Sequence, residues 1–168
     1  MKITIIGCLL AFLVVGCSSP KNNTETSADK SEIAPPPNEN FHMQATDGTY
    51  YYLEELVGKR VFINYWATWC KPCIAEMPDI EAAAEILKKE NYVFFLVSDQ
   101  EMDKIKAFEE QQDFNLTFAK LNGKIQDLKI QSLPTTVIYS SEGKRTQKIS
   151  GAVKWDSDGM LSTLRAIK

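Results

Sequence analysis

The stretch Val61-Phe62-Ile63-Asn64-Tyr65-Trp66-Ala67-Thr68-Trp69-Cys70-Lys71-Pro72-Cys73-Ile74-Ala75-Glu76-Met77-Pro78 decides the fold of this chain. Its first six residues are almost continuously apolar, the mark of a strand buried on both faces. Behind Cys70 the apolar residues Ile74, Met77, Ile80, Ala84 and Leu87 recur at three- and four-residue intervals, which predicts a helix. A strand buried on both faces that hands over to a helix implies a central sheet with helices packed on it.

The rest of the chain fits that frame. Phe41-His42-Met43-Gln44-Ala45 and Tyr50-Tyr51-Tyr52 flank Thr46-Asp47-Gly48-Thr49 and read as a hairpin turning at Asp-Gly. Tyr92 to Val97 is a second buried strand. Met102, Ile105 and Phe108 mark a second helix, and Leu116 to Leu121 a short strand. Thr135 to Tyr139, the turn Ser141-Glu142-Gly143-Lys144 and Arg145 to Ile149 make another hairpin. Trp155, Met160, Leu161 and Leu164 predict a closing helix. The expected class is α/β: one domain over 41–168, a central mixed β-sheet flanked by helices, with an added N-terminal β-hairpin.

The 168 residues, 44% hydrophobic and 24% charged, leave room for one globular domain plus appendages. A formal net charge of −3 offers no basic surface, so no nucleic-acid partner is expected. Lys2 precedes an apolar run from Ile3 to Gly16 that would rise only about 21 Å as a helix, too short to cross a bilayer. A positive start and a short apolar stretch read as a signal peptide over 1–16. The run ends Val14-Val15-Gly16-Cys17 and turns polar at Ser18-Ser19-Pro20, which resembles the bacterial lipobox. That resemblance implies cleavage before Cys17 and acylation of Cys17, hence an anchor in a membrane. Ser18 to Asn40 holds one isoleucine, no aromatic residue and the run Pro35-Pro36-Pro37. Residues 17–40 are therefore expected to be a lipidated cysteine followed by a disordered tether.

Cys8 and Cys17 belong to the N-terminal segment, which leaves Cys70 and Cys73 as the domain's pair. A helix N-terminus stabilises a thiolate through its dipole and free N–H groups, and the thiolate is the nucleophile of disulfide exchange. Lys71 adds a positive charge, and Pro72 suits a first helical turn because its missing N–H has no partner there anyway. The spacing points to a redox pair in which Cys70, the more accessible thiol, attacks a disulfide and Cys73 resolves the mixed disulfide. Three other readings are weaker. Zinc needs about four ligands, and the domain offers these two cysteines and His42. A purely structural disulfide across so short a loop constrains the unfolded chain little. A reduced core pair is hard to reconcile with the Lys-Pro turn between the two.

The run Trp69-Cys70-Lys71-Pro72-Cys73-Ile74-Ala75-Glu76-Met77-Pro78 resembles the active-site stretch W-C-x-P-C-x-x-E-x-P of the TlpA/ResA-like envelope thioredoxins. Ser132-Leu133-Pro134-Thr135-Thr136 resembles that family's cis-proline segment, and Glu142-Gly143-Lys144 its hairpin turn. The resemblance implies a thioredoxin fold with an added N-terminal hairpin, and no cofactor or metal is expected. It implies that Pro134 packs against the redox pair, that the Leu133–Thr135 backbone pairs with substrate, and that Trp69 is part of the docking surface. Thioredoxin has a buried aspartate where this chain has Asn64, and an amide cannot take that proton. Glu76, one helical turn past Cys73, is the remaining candidate for proton acceptor. The expected activity is thiol–disulfide exchange on disulfide-bearing exported proteins, as a reductant, with electrons from a membrane or envelope donor. The resemblance extends this to cytochrome c maturation and to the extracytoplasmic side of a bacterial envelope. An oxidase or isomerase is the alternative, and a copper(I) module a more remote one, because soft thiolates favour that ion.

Overall fold

In the computed structural model the described residues are 42–168. The expected signal peptide (1–16), the expected lipidated Cys17 and tether (17–40) and Phe41 lie outside them. The elements run β1 (His42–Ala45), β2 (Tyr50–Tyr52), β3 (Arg60–Tyr65), α1 (Lys71–Leu87), β4 (Tyr92–Ser98), α2 (Met102–Glu109), β5 (Thr117–Leu121), β6 (Thr135–Tyr139), β7 (Arg145–Ser150) and α3 (Asp158–Ala166). They form one seven-stranded sheet in the order β2-β1-β5-β4-β3-β6-β7. β3, β4 and β5 are parallel neighbours joined through α1 and α2, while β6 runs antiparallel to β3. The mixed sheet expected from the element order is the sheet observed, and the fold is thioredoxin-like.

β3 lies between β4 and β6, which explains its unbroken apolar composition. Successive side chains alternate faces. Phe62, Asn64 and Trp66 turn toward α1 and α3, where Met77, Ile80, Ala83, Leu87, Leu161 and Leu164 complete one core. Val61, Ile63 and Tyr65 point the other way, to a second core with Phe95, Val97 and Val137. Leu53, Leu56, Ile125 and Leu128, from two single-turn helical segments, cover that second face. The two faces thus differ: full helices on the face that carries the cysteines, short turns on the other.

The N-terminal hairpin forms where the Asp-Gly signal put it. Gly48 holds φ at +94°, a value that favours glycine, and the Asp47 carboxylate accepts the Thr49 N–H at 2.8 Å. The sequence located the hairpin but not its seat. β1 pairs antiparallel with β5, Met43 opposite Leu121, so the hairpin extends the sheet at the edge away from β7. Among the described residues no helix is long and apolar enough to cross a membrane.

The face under α1 depends on full burial, so truncation there is expected to be costly. Ile80 is 0% exposed. Ile80→Ala should lower unfolding free energy by about 2–5 kcal/mol in a urea titration, with the Cys70–Cys73 disulfide still forming. A loss well under about 1 kcal/mol would mean that α1 is not seated as described.

Candidate active site: a disulfide at the start of α1 beside a buried carboxylate

The chain leaves β3 at Tyr65 and turns through Ala67–Cys70, where the Cys70 N–H bonds the Ala67 carbonyl at 2.9 Å. Gln100 pins this turn: its Oε1 accepts the Thr68 N–H at 2.8 Å and its Nε2 donates to the Thr68 hydroxyl at 3.1 Å. Cys70 is the N-cap of α1, with Pro72 in the first turn. Its Sγ accepts the Cys73 N–H at 3.3 Å, and its carbonyl accepts the Ile74 N–H at 3.1 Å. Cys70 and Cys73 form a disulfide, with their Cα atoms 5.3 Å apart. In this oxidised form both cysteines are covered. Cys70 is 3% and Cys73 0% exposed, so the expected order of access survives only as a small difference.

The side chain beside the disulfide is far from buried. Trp69 is 71% exposed, more than any other large apolar residue among those described. With Ile125, Ile130 and Leu133 it lines a groove of about 670 Å³ whose remaining lining is mostly polar. The Leu133–Pro134 bond is cis, as the resemblance implied, and Leu133 also packs against the core that contains both cysteines. The Pro134 carbonyl accepts the Gly151 N–H at 2.9 Å. Thr135 is fully buried in β6, opposite Tyr65, and its hydroxyl donates to the Ser132 carbonyl at 2.8 Å. The structure therefore brings Trp69 and Leu133 to one groove and directs the Thr135 side chain into the fold.

Glu76 is only 3% exposed, not the solvated residue that an early helical turn usually carries. Three groups reach it. Asn64 on β3 donates through Nδ2 to Oε1 at 2.8 Å. On the segment before α3, the Val153 N–H and the Trp155 indole N–H both donate to Oε2, at 2.9 and 3.0 Å. Removal from water pushes the carboxyl above the usual range, and these three donors pull it back in part. Sequence reasoning singled out Asn64 because an amide cannot take up a proton, and missed what it supplies, a donor to Glu76. Val153 and Trp155 carried no signal, since Trp155 read only as part of an apolar helix pattern and a backbone N–H is invisible in a sequence.

A family model described as AhpC/TSA matches residues 35–145. The chain belongs to the AhpC/TSA family. Among its curated relatives, the thiol-disulfide oxidoreductase ResA of Bacillus thuringiensis subsp. konkukian is 33% identical over 132 residues, which cover 75% of this chain and 74% of that protein. A ResA of Bacillus cereus is 34% identical over 115 residues, 67% of this chain and 66% of that one. The crystal structure of the pneumococcal exposed lipoprotein thioredoxin Etrx1 from Streptococcus pneumoniae superposes with a TM-score of 0.64 at 26% identity, covering 74% of this chain and 97% of that chain. With a ResA-like sequence, a thioredoxin-like fold and a Cys-x-x-Cys disulfide, this AhpC/TSA-family member is an enzyme of the thiol–disulfide oxidoreductase class.

Glu76 should leave a mark on stability as well. Its folded-state pKa lies above its unfolded value, so the fold binds its proton more tightly than the unfolded chain does. That contribution is complete below the unfolded value near 4.5 and is lost as pH rises through the raised folded value. In urea titrations of the oxidised protein, the stability of wild type relative to Glu76→Gln should therefore fall across that window. A difference that stays flat or rises would mean that the three donors fully offset the burial and that the Glu76 pKa is not raised.

Proposed function

We propose that this enzyme is a reductant of disulfides in exported proteins, with Cys70 as nucleophile, Cys73 as resolving thiol and Glu76 as proton acceptor. The observation that carries the reading is the Cys70–Cys73 disulfide at the start of α1, beside the groove formed by Trp69 and Leu133. The Cys70 thiolate attacks one sulfur of the substrate disulfide, and the other leaves as a thiolate that takes a proton from water. Cys73 passes its proton to Glu76 and attacks the Cys70 sulfur. The bond from Cys70 to the substrate breaks, and that sulfur leaves as a thiolate that takes up the proton held by Glu76. The substrate departs as a dithiol, Glu76 is ionised again and the enzyme is left oxidised. Two electrons and two protons from a membrane or envelope donor then restore the dithiol.

The reductant direction rests on electrostatics. A carboxylate buried beside the pair disfavours a thiolate there, and a less stable thiolate makes the dithiol easier to oxidise. An oxidase would need the opposite, a stabilised thiolate and a higher potential. Trp69 supplies apolar contact for the substrate, and Leu133, Pro134 and Thr135 supply the cis-proline segment along which its chain lies. Outside the described residues, the same reading has residues 1–16 as a signal peptide and Cys17 as an acylated anchor. The residues to position 40 then tether the domain on the extracytoplasmic side of a bacterial membrane. The family resemblance supports cytochrome c maturation as the setting.

Two measurements test this. With Cys73→Ser, covalent adducts with exported proteins should accumulate on Cys70, and Cys70→Ser should abolish them. Adducts that persist on Cys73 in the second variant would reverse the roles. For the anchor, the mature protein should carry an acylated N-terminal Cys17 by intact mass and partition into detergent, and Cys17→Ala should not. An unacylated mature protein starting near Ser18 would rule the anchor out.

A further inference from the structure

Asn64 stands in the middle of the sheet, 0% exposed, in register with Leu96 on one side and Thr136 on the other. Its amide nitrogen donates to Glu76 Oε1 at 2.8 Å and to the Thr136 hydroxyl at 2.9 Å. Its Oδ1 is buried without a hydrogen-bond partner among the described residues. An unpaired amide oxygen in a core is costly, and an apolar residue in the middle of β3 would avoid that cost. What the amide gains in return is its donation to Glu76. Oε2 of Glu76 already receives two donors from the segment before α3, whereas Oε1 is held from β3 by Asn64.

We propose that Asn64 is a positioning residue for the proton step, and that Asn64 and Glu76 work as one acid–amide pair whose members can be exchanged. This rests on the assignment of Glu76 as the proton acceptor. The hydrogen-bond pattern carries the exchange. With glutamine at 76, its carbonyl can accept the Val153 and Trp155 donors, and its amide nitrogen then faces residue 64. With aspartate at 64, that nitrogen meets a carboxylate, and the Thr136 hydroxyl, able to donate or accept, turns its proton toward the same oxygen. The Val153 and Trp155 donors, the glutamine N–H that faces residue 64 and the Thr136 hydroxyl each have an acceptor, and the acid moves from the helix to the strand. The other ionisable groups around the pair are few. Cys70 and Cys73 begin α1, and Asp79 lies one turn beyond Glu76 and adds a like charge. Lys154, beside Val153, pairs with both Asp79 and Asp156, one positive charge against two negative ones, so this cluster stays net negative and, through Asp79, acts against ionisation of the pair.

The test compares four full-length proteins: wild type, Asn64→Ala, Glu76→Gln and the exchange variant Asn64→Asp/Glu76→Gln. The reduced enzymes act on a small aromatic disulfide across pH, with thiol alkylation followed in parallel. Removing the Asn64 donor weakens the charged form of Glu76, so the Asn64→Ala profile should move to higher pH by about one unit. Glu76→Gln should lose the inflection and slow turnover by about tenfold or more. The exchange variant should regain a titrating step and most of that rate. A folded exchange variant, with its disulfide and unfolding midpoint retained, that behaves like Glu76→Gln would overturn the proposal. So would an Asn64→Ala profile that superimposes on wild type, which decides the matter even if the exchange variant does not fold. Superimposable wild-type and Glu76→Gln profiles would instead remove Glu76 from the reaction, and this proposal with it.

Discussion

A carboxylate in a protein core survives only where hydrogen-bond donors converge on it, and the active-site end of this molecule is organised by that requirement. Glu76 sits on α1, one turn behind the disulfide. Its two oxygens are held from β3 and from the segment leading into α3. A single side chain therefore ties the central strand, the cysteine-bearing helix and the C-terminal segment together. Its burial has a chemical result that the three donors only partly offset. Burial keeps the group reluctant to ionise, so it can take up a proton at a pH where an exposed glutamate could not.

The frame around this contact follows from β3. Flanked by β4 and β6, it must be apolar on both faces, yet it gives one inward position to an amide. The turn after it is stiffened by the reciprocal Gln100–Thr68 pair, and Cys70 enters as the helix cap. A thiol in that place meets the positive end of the helix dipole while a buried carboxyl lies a turn below. The two effects oppose each other: the helix end favours a thiolate and the carboxylate disfavours it. For a reductant the carboxylate has to outweigh the helix end.

Much of the architecture was legible because it is written in local patterns. The continuous apolar run of β3 and the three-and-four spacing behind Cys70 required a buried strand and a helix packed on it, and both are there. Asp47-Gly48 required a turn, because glycine accepts a positive φ that other residues avoid. The neighbours of the strands were not legible, since pairing joins residues far apart in the chain. Nothing in His42–Ala45 says that its partner beyond the hairpin is β5.

The candidate site divides along the same line. The sequence alone placed Cys70 and Cys73 together at a helix start and pointed to a redox pair, because two-residue spacing with a proline in the first turn is local information, and the two cysteines are joined there in a disulfide. It also raised Glu76 as an acid at a neighbouring helical position. Only the tertiary structure decided that this acid is buried and held by Asn64, Val153 and Trp155, and that Trp69 shares its groove with Leu133. Hydrogen bonds from a strand, and from a loop 77 and 79 residues further along the chain, depend on where the folded elements meet. No spacing rule along one segment carries that.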